Sequence, residues 1–386
     1  MCALRLVRYV HYPATPILLP ATEPSFTSRI HPPNHPHTCP STHPNCRSPG
    51  PPPPPATSLP PDPILIVADW TAEEGWATPQ LVPYGPMEIM FAASVLHYST
   101  SWYEGMKLYR GYDGHLRLFR PEANCARLRT SAERISLPDF DPEQVHLLIR
   151  KLCAVDGPRW LPSPGNFLYI RPTIVRTDSS LGVRVPHAAR LFVIICCWAT
   201  IQTADPTGMR LVVGEEGAVR AWPGGTGAAK VGANYGPTLQ KHGRADHEVT
   251  ESGSSNLFVL WRAAQGGIEV VTSPLERDLV LPGVTRNSIL MLLRERLNGS
   301  NSWSYMMGEI LSAYKENRLL GAFAVGTAYF VTPVSNIDFH GEGIRVPVDG
   351  TSHVALLQGW MADIMYGKVQ RDCFKYSITM ERKKNT

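Results

Sequence analysis

The segment "GGTGAAKVGANYGP", which begins at Gly224, surrounds a single lysine, Lys230, with glycines and other small residues. Two kinds of chemistry use a lysine in such a setting: binding of a nucleotide phosphate, and covalent attack of the amine on an aldehyde. A Walker phosphate loop requires Ser or Thr directly after the lysine to reach magnesium, whereas Val231 follows Lys230 here. The segment therefore excludes a Walker loop. It leaves covalent chemistry, or a glycine-rich turn with a solvated lysine, as the alternatives.

A lysine that attacks an aldehyde must first lose its proton, and burial or neighbouring cations favour that loss. Four small residues precede the lysine and leave room for a flat ring above its amine: Gly225, Gly227, Ala228 and Ala229. Taken alone, the segment favours the solvated turn, because most glycine-rich turns do no chemistry. The rest of the chain has to decide between the two.

The composition of the 386-residue chain is that of a soluble enzyme. Charged residues make up 18%, hydrophobic residues 43%, and the formal net charge is +4. A protein dominated by nucleic-acid contacts would carry a basic stripe, so we expect no nucleic acid as a partner. The longest apolar run, "LFVIICCWA" from Leu191, is far shorter than the ~20 residues of a membrane helix. It predicts a buried strand, and we expect no membrane partner.

The eight cysteines have no regular spacing, which favours reduced thiols over a disulfide framework. The run "CPSTHPNC" from Cys39 to Cys46, with His35, His37 and His43 nearby, could suggest zinc. Its spacing is wider than that of common zinc sites, and the stretch is rich in proline. We therefore expect a solvated tail there and no metal.

The N-terminal stretch 1–63 contains half of the chain's 36 prolines, which predicts a disordered proline-rich segment. Such a segment could also recruit SH3-like or WW-like modules. Its opening "MCALRLVRYV" has two arginines and no acid, as mitochondrial presequences do. The expected compartment is therefore cytoplasmic or mitochondrial.

After Pro63, strand and helix patterns alternate and predict an α+β fold in two domains. The run "FLYIRPTIVR" predicts a strand, and "PEQVHLLIRKLCAV" predicts an amphipathic helix. The polar stretch "CCWATIQTADPTG" suits a linker, because it contains Pro and Gly. We expect a small α/β domain over 64–200, a linker over 201–208 and a large domain over 209–380.

Eight segments resemble, in the same order, those of the branched-chain amino-acid aminotransferases, which are fold-type IV pyridoxal-phosphate enzymes. They are "LHYSTSWYEGMKLYRG", "LRLFRPEANCARLRTSAERISLP", "LYIRPT", "SLGV", "RAWPGGTGAAKVGANYGPTL", "VTESGSSNLFV", "LVLPGVTR" and "AVGTAYFVTPV". The resemblance extends from about residue 64 to 370. It implies a two-domain fold-type IV enzyme with pyridoxal 5′-phosphate as cofactor, working as a homodimer. The reaction implied is ping-pong transfer of the amino group of leucine, isoleucine or valine to 2-oxoglutarate, with amino acids and 2-oxo acids as its small-molecule partners.

The resemblance also assigns roles around the cofactor. Lys230 matches the lysine that forms an imine with pyridoxal phosphate and then moves a proton to and from the substrate Cα. Glu251 matches the glutamate that faces the pyridine nitrogen, and Tyr235 matches the donor to the ring oxygen O3′. Four further positions match the phosphate site: the Arg127 guanidinium, the backbone N–H groups of Val284 and Thr285 at a helix N-terminus, and the Thr327 hydroxyl.

A second group of residues matches the substrate side. Tyr98, with the backbone of Thr327 and Ala328, matches the site of the substrate's α-carboxylate. Tyr169 and Arg171 match the pair that shapes the pocket and accommodates the distal carboxylate of glutamate. Tyr103 stands where the family often has phenylalanine. The tyrosine hydroxyl is expected to narrow the substrate pocket or to make its wall more polar.

The sequence departs from the family between Tyr235 and Glu251. About 14 residues are missing there by family spacing, which as a helix would be ~20 Å of chain. We expect that Lys230 and Glu251 have difficulty reaching one small ring, and that the chain is a splice variant or an imperfect gene model. The alternatives to an active enzyme of this family are an inactive homologue and another fold-type IV enzyme, such as a D-amino-acid aminotransferase or aminodeoxychorismate lyase.

A pair of cysteines in a CxxC arrangement occurs in some animal members of the family. Tyr329 and Thr332 occupy those positions in this chain. The sequence therefore predicts no thiol redox switch there.

Overall fold

The computed structural model describes most of the chain after residue 61. The described ranges are 57–58, 62–198, 208–214, 220–236, 248–264, 266–297, 301–302, 304–328, 330–348, 353–371 and 375–378. Residues 53–386 form one compact unit. Most of the predicted proline-rich segment, the Cys/His run within it and all but the last residue of the predicted linker lie outside the described ranges.

The described residues up to 198 form short and long strands with three helices among them. The strands are β1 (Thr57–Ser58), β2 (Ile64–Thr71), β3 (Gly75–Trp76), β4 (Gln80–Pro83), β5 (Ser101–Tyr103), β6 (Met106–Arg110), β7 (Leu116–Phe119), β8 (Phe167–Arg176) and β9 (Ala188–Trp198). The helices are α1 (Ser94–Tyr98), α2 (Pro121–Arg134) and α3 (Pro142–Trp160).

The described chain from residue 208 onward continues the alternation. Its strands are β10 (Met209–Val212), β11 (Glu251–Ser252), β12 (Ser255–Arg262), β13 (Ile268–Thr272), β14 (Asn301–Ser302), β15 (Leu319–Gly326), β16 (Phe330–Phe339), β17 (Glu342–Arg345) and β18 (Lys375–Ile378). The helices are α4 (Val284–Leu297), α5 (Met307–Lys315) and α6 (His353–Met365), and a short 3-10 helix spans Gly232–Tyr235.

The first sheet runs in the order β18-β7-β6-β8-β9-β2-β3, and all of its pairs are antiparallel. Strands β1, β4 and β5 pair with β9, β2 and β8 outside that path. The predicted strand "FLYIRPTIVR" is β8, which confirms that prediction. Because side chains alternate along a strand, Tyr169 and Arg171 of β8 point to the same face of the sheet.

The second sheet runs in the order β10-β16-β15-β12-β13-β14, with β11 beside β12 and β17 beside β16. Strand β12 is almost wholly buried and pairs antiparallel with both β13 and β15. Its run of Leu, Phe, Val and Trp is typical of a strand covered on both faces. The rings of Phe258 and Phe323, from β12 and β15, stack at a centroid distance of 4.9 Å.

Helix α3 covers the first sheet, and the residues at its start explain where it begins. The Asp141 side chain accepts the Glu143 N–H at its start, and Pro142 occupies the first turn, where no N–H is needed. Its apolar face, including Ile149 and Leu152, is fully buried in the core of that sheet. Burying each such side chain stabilises the fold by about 1.5–3 kcal/mol. The helix continues to Trp160, beyond the predicted segment.

The mixed helices and strands confirm the predicted α+β class. The division at residues 200–209 stays a prediction, and β18, from the end of the predicted large domain, pairs with β7 of the first sheet. Over the ranges described above, no helix combines the length and apolar character needed to cross a membrane.

Candidate cofactor and substrate site

A cavity of about 260 Å³ lies where the first sheet, helix α4 and the end of β15 meet. Eleven of the twelve residues predicted for the site line it. They are Tyr103, Arg127, Tyr169, Arg171, Lys230, Tyr235, Glu251, Val284, Thr285, Thr327 and Ala328. The structure therefore brings together side chains that lie up to 225 positions apart in the chain.

Lys230 is held at both ends. Its backbone N–H donates to Ser131 Oγ of helix α2 at 2.9 Å, and its carbonyl accepts the Tyr103 N–H at 3.2 Å. Its Nζ donates to the Tyr235 hydroxyl at 2.7 Å. The lysine is half-buried rather than solvated. The interpretation of the segment as a turn with a solvated lysine is therefore wrong.

Asn234 organises the glycine-rich segment, although the sequence did not single it out. Its side-chain amide donates to the carbonyls of Thr226 and Ala229 at 2.7 and 2.8 Å. Its Oδ1 accepts the Thr226 hydroxyl at 2.7 Å. These bonds close the loop on itself and hold Lys230 and Tyr235 on one side of it.

Gly227 is a glycine because the loop packs tightly at that point. A Cβ there would lie 2.6 Å from the Ala221 Cβ and 2.7 Å from the Asp278 carbonyl oxygen. The second atom belongs to backbone, so it cannot move aside as the end of a side chain can. The small residues of the segment therefore serve packing as well as access to the lysine.

Glu251 is a buried carboxylate with a paired cation. Its Oε1 accepts the Leu281 N–H at 3.0 Å and the Asn256 amide at 3.1 Å, and its Oε2 lies 2.9 Å from Arg220 Nη1. Burial raises the pKa of Glu251, and the Arg220 guanidinium opposes part of that rise. Arg220 meets Oε2 as an ion pair, but no donor of the described residues makes a well-directed hydrogen bond to that oxygen. Oε2 therefore keeps a lone pair for a donor inside the cavity.

Arg127 lines the cavity but is already paired. Its Nε and Nη2 donate to the two Glu104 oxygens at 2.7 and 2.9 Å, and its Nη1 donates to the Pro282 carbonyl at 3.0 Å. Burial alone would raise the pKa of Glu104, but the Arg127 guanidinium outweighs it, and the net shift is downward. Glu104 in turn holds the pKa of Arg127 above its ordinary value despite burial. The pair is ionised and fixes the arginine beside α4.

Helix α4 begins at Val284, so the N–H groups of its first turn have no acceptor within the helix. The positive end of the helix dipole lies at the same place, which favours an anion there. Gly283, directly before the helix, has no room for a side chain, because a Cβ would lie 2.1 Å from Asn256 Oδ1. The Asn256 side chain therefore packs directly against the backbone that precedes α4.

Three side chains form the opposite wall. Arg171 Nη2 donates to the Tyr169 hydroxyl at 3.1 Å, and its guanidinium lies 4.3 Å from the ring centroid of Tyr103. The Tyr103 and Tyr235 rings are 5.0 Å apart, and Lys230 Nζ lies 4.7 Å from the Tyr103 centroid. Burial raises the pKa of both Tyr103 and Tyr169, so their hydroxyls stay protonated. The wall is aromatic with one cation at its edge.

Tyr98, the twelfth predicted residue, does not line this cavity. It is the last residue of α1, is 41% exposed, and donates its hydroxyl to the Leu181 carbonyl. Its role with the substrate carboxylate stays a prediction.

The shortened connection does not keep the lysine and the glutamate apart. Residues 237–247 lie outside the described ranges, yet Lys230 and Glu251 line the same cavity. The expected difficulty is therefore not seen in the placement of these two side chains.

Of the two positions predicted to exclude a redox switch, Thr332 is buried and Tyr329 is not described.

Besides Asn234, three residues that line or hold the site were not predicted: Glu104, Arg220 and Asn256. All three lie inside the matched segments, and Glu104 directly follows Tyr103. The signal that could have found Glu104 and Arg220 is charge, because a buried charge in such a segment needs a partner. Their partners lie 23 and 31 positions away, so the pairing itself was not visible.

Known proteins are similar to this chain in sequence, although no family model matches it. The chain is 39% identical over 331 residues to the branched-chain-amino-acid aminotransferase of Dictyostelium discoideum, covering 80% of this chain and 86% of that relative. It is 39% identical over 329 residues to the mitochondrial enzyme of that name in Schizosaccharomyces pombe, covering 79% and 76%. It is 38% identical over 339 residues to the cytosolic one of Saccharomyces cerevisiae, covering 82% and 89%.

Two solved structures have a similar fold. One is a branched-chain aminotransferase from Thermoproteus uzoniensis with norvaline, with a TM-score of 0.65 and 19% identity, covering 81% of this chain and 99% of that one. The other is the branched-chain amino acid aminotransferase from Thermobaculum terrenum in its PLP form, with a TM-score of 0.63 and 18% identity, covering 81% and 98%.

The fold is that of a fold-type IV pyridoxal-phosphate enzyme. Within that class, the identity to three curated relatives over about four-fifths of the chain decides the family. The chain belongs to the branched-chain-amino-acid aminotransferase family.

Proposed function

We propose that this chain is a branched-chain amino-acid transaminase with pyridoxal 5′-phosphate as its cofactor. It transfers the amino group of leucine, isoleucine or valine to 2-oxoglutarate in a ping-pong reaction. The observation that carries the proposal is the single cavity in which Lys230, Tyr235, Glu251 and the start of α4 meet. Family membership supplies the reaction, and the cavity supplies the groups that the reaction needs.

The residues present fit pyridoxal phosphate on three counts. Glu251 Oε2 is a buried acceptor that no hydrogen bond from the described residues uses, as a protonated ring nitrogen requires. The start of α4 offers free N–H groups behind a glycine, as a phosphate requires. Lys230 Nζ lies within hydrogen-bond distance of the Tyr235 hydroxyl, so one side of the cavity has both an amine and a donor for a ring oxygen. Arg127 would add positive charge near the phosphate.

Bound pyridoxal phosphate supplies an aldehyde for the amino group and a ring that accepts electrons from the substrate Cα. Lys230 Nζ is the base in the cavity that takes the Cα proton and returns it to the product. Tyr235 orients that amine by accepting its hydrogen bond at 2.7 Å. Glu251, held by Arg220 and two N–H donors, keeps a proton on the ring nitrogen.

The wall opposite the start of α4, together with the turn after β15, suits both branched-chain amino acids and glutamate. Thr327 and Ala328 would hold the α-carboxylate common to all of them, and Tyr98 is proposed to assist. The rings of Tyr103 and Tyr169 give an aliphatic side chain an apolar surface. Arg171, whose Nε has no hydrogen-bond partner among the described residues, keeps a donor for the distal carboxylate of glutamate.

We also propose that the chain forms a homodimer. Residues around α1 and the loop before β9 expose six apolar side chains on two segments: Met90 (63%), Phe91 (95%), Leu96 (55%), Leu181 (58%), Val183 (86%) and Val185 (72%). The two segments are joined by the Ser94 Oγ bond to the Ser180 carbonyl and by the Tyr98 bond to Leu181. Exposed apolar patches of this kind are typical of protein–protein contacts.

The compartment follows from the relatives, which include mitochondrial and cytosolic enzymes. We propose a cytoplasmic or mitochondrial location for this chain, with amino acids and 2-oxo acids as its small-molecule partners.

The proposed reaction can be tested with the purified chain, pyridoxal phosphate and a Lys230→Ala control. The expected result is a visible cofactor band that borohydride fixes at Lys230, together with glutamate formation from leucine, isoleucine or valine and 2-oxoglutarate. A chain that binds the cofactor but transfers nothing from these three would contradict the proposal. Transfer from D-alanine instead would identify a D-amino-acid aminotransferase.

A further inference from the structure

Lys107 is a buried lysine to which the proposed mechanism gives no role. It lies on β6, and its side chain is only 5% exposed. No carboxylate of the described residues pairs with it, and burial alone lowers its pKa to about 8. Burying an ammonium group without a counter-ion costs free energy that an apolar residue would not cost. Packing alone therefore does not account for a lysine at this position.

The contacts of Lys107 are few and specific. Its Nζ donates to the Ala328 carbonyl at 3.2 Å, across 221 positions of sequence. The same Nζ lies 3.9 Å from the ring centroid of Phe167, an arrangement that partly offsets the loss of water. The hydrogen bond ends on the turn that closes β15, which is the turn where we place the substrate carboxylate.

Lys107 reaches that turn from behind. A small second cavity of about 10 Å³ is lined by Lys107 and also by Val284, Thr285, Gly326 and Thr327. The last four residues line the main cavity as well. They form the wall between the two cavities, so the ammonium group lies on the far side of the surface that faces the ligand.

We propose that Lys107 is a positioning residue for the turn Gly326–Ala328, and that its charge behind the turn makes the main cavity prefer carboxylates over uncharged ligands of the same shape. The hydrogen bond to the Ala328 carbonyl fixes the end of the turn. The positive charge, with no carboxylate beside it among the described residues, acts through a thin wall of low polarity, where charges interact strongly. The inference rests on the proposed function, because that function places the substrate carboxylate at this turn.

The test compares two ligands of nearly the same shape, charged 4-methylvalerate and its uncharged amide, 4-methylpentanamide, in which an NH₂ group replaces one carboxylate oxygen. Dissociation constants are measured by calorimetry on the pyridoxal-phosphate-loaded chain. The variants are Lys107→Met, Lys107→Gln and Lys107→Arg, with Lys151→Met, an exposed lysine of α3, as the matched control. The Gln variant keeps a hydrogen-bond donor without the charge, so the test remains available if the Met variant does not fold.

For the unchanged chain we expect tighter binding of the carboxylate than of the amide. Lys107→Met and Lys107→Gln should weaken carboxylate binding about 10-fold and leave amide binding unchanged. Lys107→Arg should restore most of the preference, and Lys151→Met should not alter it. Equal loss for both ligands would show a packing role only and would overturn the proposal, as would an unchanged preference in the Met and Gln variants or no preference in the unchanged chain.

Amino transfer from leucine to 2-oxoglutarate is measured in parallel and separates the two proposals. Charge preference without transfer would reject the proposed function and leave the role of Lys107 intact. If amino transfer is present but loss of Lys107 does not change the preference for the carboxylate, the proposed function stands and the role of Lys107 is rejected. In an active chain, Lys107→Met should raise the KM for leucine more than it lowers kcat, because the turn binds the substrate and does not move its proton.

Discussion

The buried ion pair of Glu104 and Arg127 fixes one wall of the cavity. Burial opposes both charges, but each stabilises the other, and the amide of Asn124 adds a further bond to the carboxylate at 2.9 Å. The same glutamate accepts the N–H of Gly105 at 3.1 Å. Arg127, which lines the cavity, is thereby fixed before any ligand arrives, which reduces the cost of ordering it on binding.

This pair predicts a defined dependence of stability on pH. The folded-state pKa of Glu104 lies below its ordinary value of 4.5, so the pair stabilises the fold above that pH and is lost as the pH falls through the lower, folded-state value. Glu104→Gln should lower the free energy of unfolding at pH 7 by about 3–5 kcal/mol, because it leaves Arg127 buried without its counter-ion. Urea unfolding between pH 7 and pH 3 measures both effects.

The control for that experiment is Asp139→Asn, which removes the partner of an exposed arginine, Arg129. It should change the free energy of unfolding by less than about 1 kcal/mol. If Glu104→Gln loses stability toward acid as steeply as the unchanged chain does, the acid dependence comes from other groups and the argument from this pair is wrong.

At this scale the sequence predicted the residues that line the cavity better than the partners that hold them. Lys230, Tyr235 and Glu251 were selected through the resemblance of their segments to one family, because local spacing alone favoured a solvated turn around the lysine. Arg220 and Glu104 act through side chains 31 and 23 positions away. A pairing over such distances depends on the folded arrangement of strands, which no local pattern encodes.

The glycine-rich segment acts as one element rather than as a set of flexible positions. Gly227→Ala should destabilise the fold by about 1–3 kcal/mol, because the new Cβ would collide with the Asp278 carbonyl and with Ala221. The displacement would move Lys230, so the affinity for pyridoxal phosphate should fall as well. Thermal unfolding and a cofactor titration followed by absorbance measure the two effects.

Gly236→Ala is the matched control, since it changes another glycine near the same lysine. Nothing lies within 4 Å of a Cβ at that position, and its φ of −55° suits any residue. We expect a change of less than about 0.5 kcal/mol and unaltered cofactor affinity. Equal effects of the two substitutions would mean that the segment needs glycine for its mobility and not for its close packing.

Helices and strands were predictable where apolar residues formed one helix face or one continuous run in the sequence. The strands β8 and β9 fell within predicted runs of apolar and β-branched residues, and α3 followed its amphipathic spacing. The order of the strands was not predictable from such runs, because β12 pairs with β15 some 60 positions later and β7 pairs with β18 at the far end of the described chain. That order is what brings Glu251 and Lys230 to one cavity despite the shortened connection between them.

The whole molecule places the candidate cavity at the junction of two sheets and leaves apolar residues around Phe91 exposed. One buried cluster includes Tyr109 and Phe119 of the first sheet together with Phe258 and Phe323 of the second. The junction is therefore a packed core, and the cavity beside it keeps a fixed shape. The apolar surface around Phe91 has no such cover from the described residues of one copy of the chain, and it borders the helix that ends at Tyr98.

If a second copy of the chain covers that surface, the protein is a dimer in solution. Light scattering after size exclusion should give twice the chain mass for the unchanged protein. Phe91→Glu should give the mass of one chain, because a charge at a side chain that is 95% exposed can be solvated in the monomer but not within an apolar contact. Ile268→Glu, at an exposed apolar position at the start of β13 in the other sheet, should remain dimeric. A monomeric unchanged chain would reject the dimer, and a dimer that survives Phe91→Glu would place the contact on a different face of the molecule.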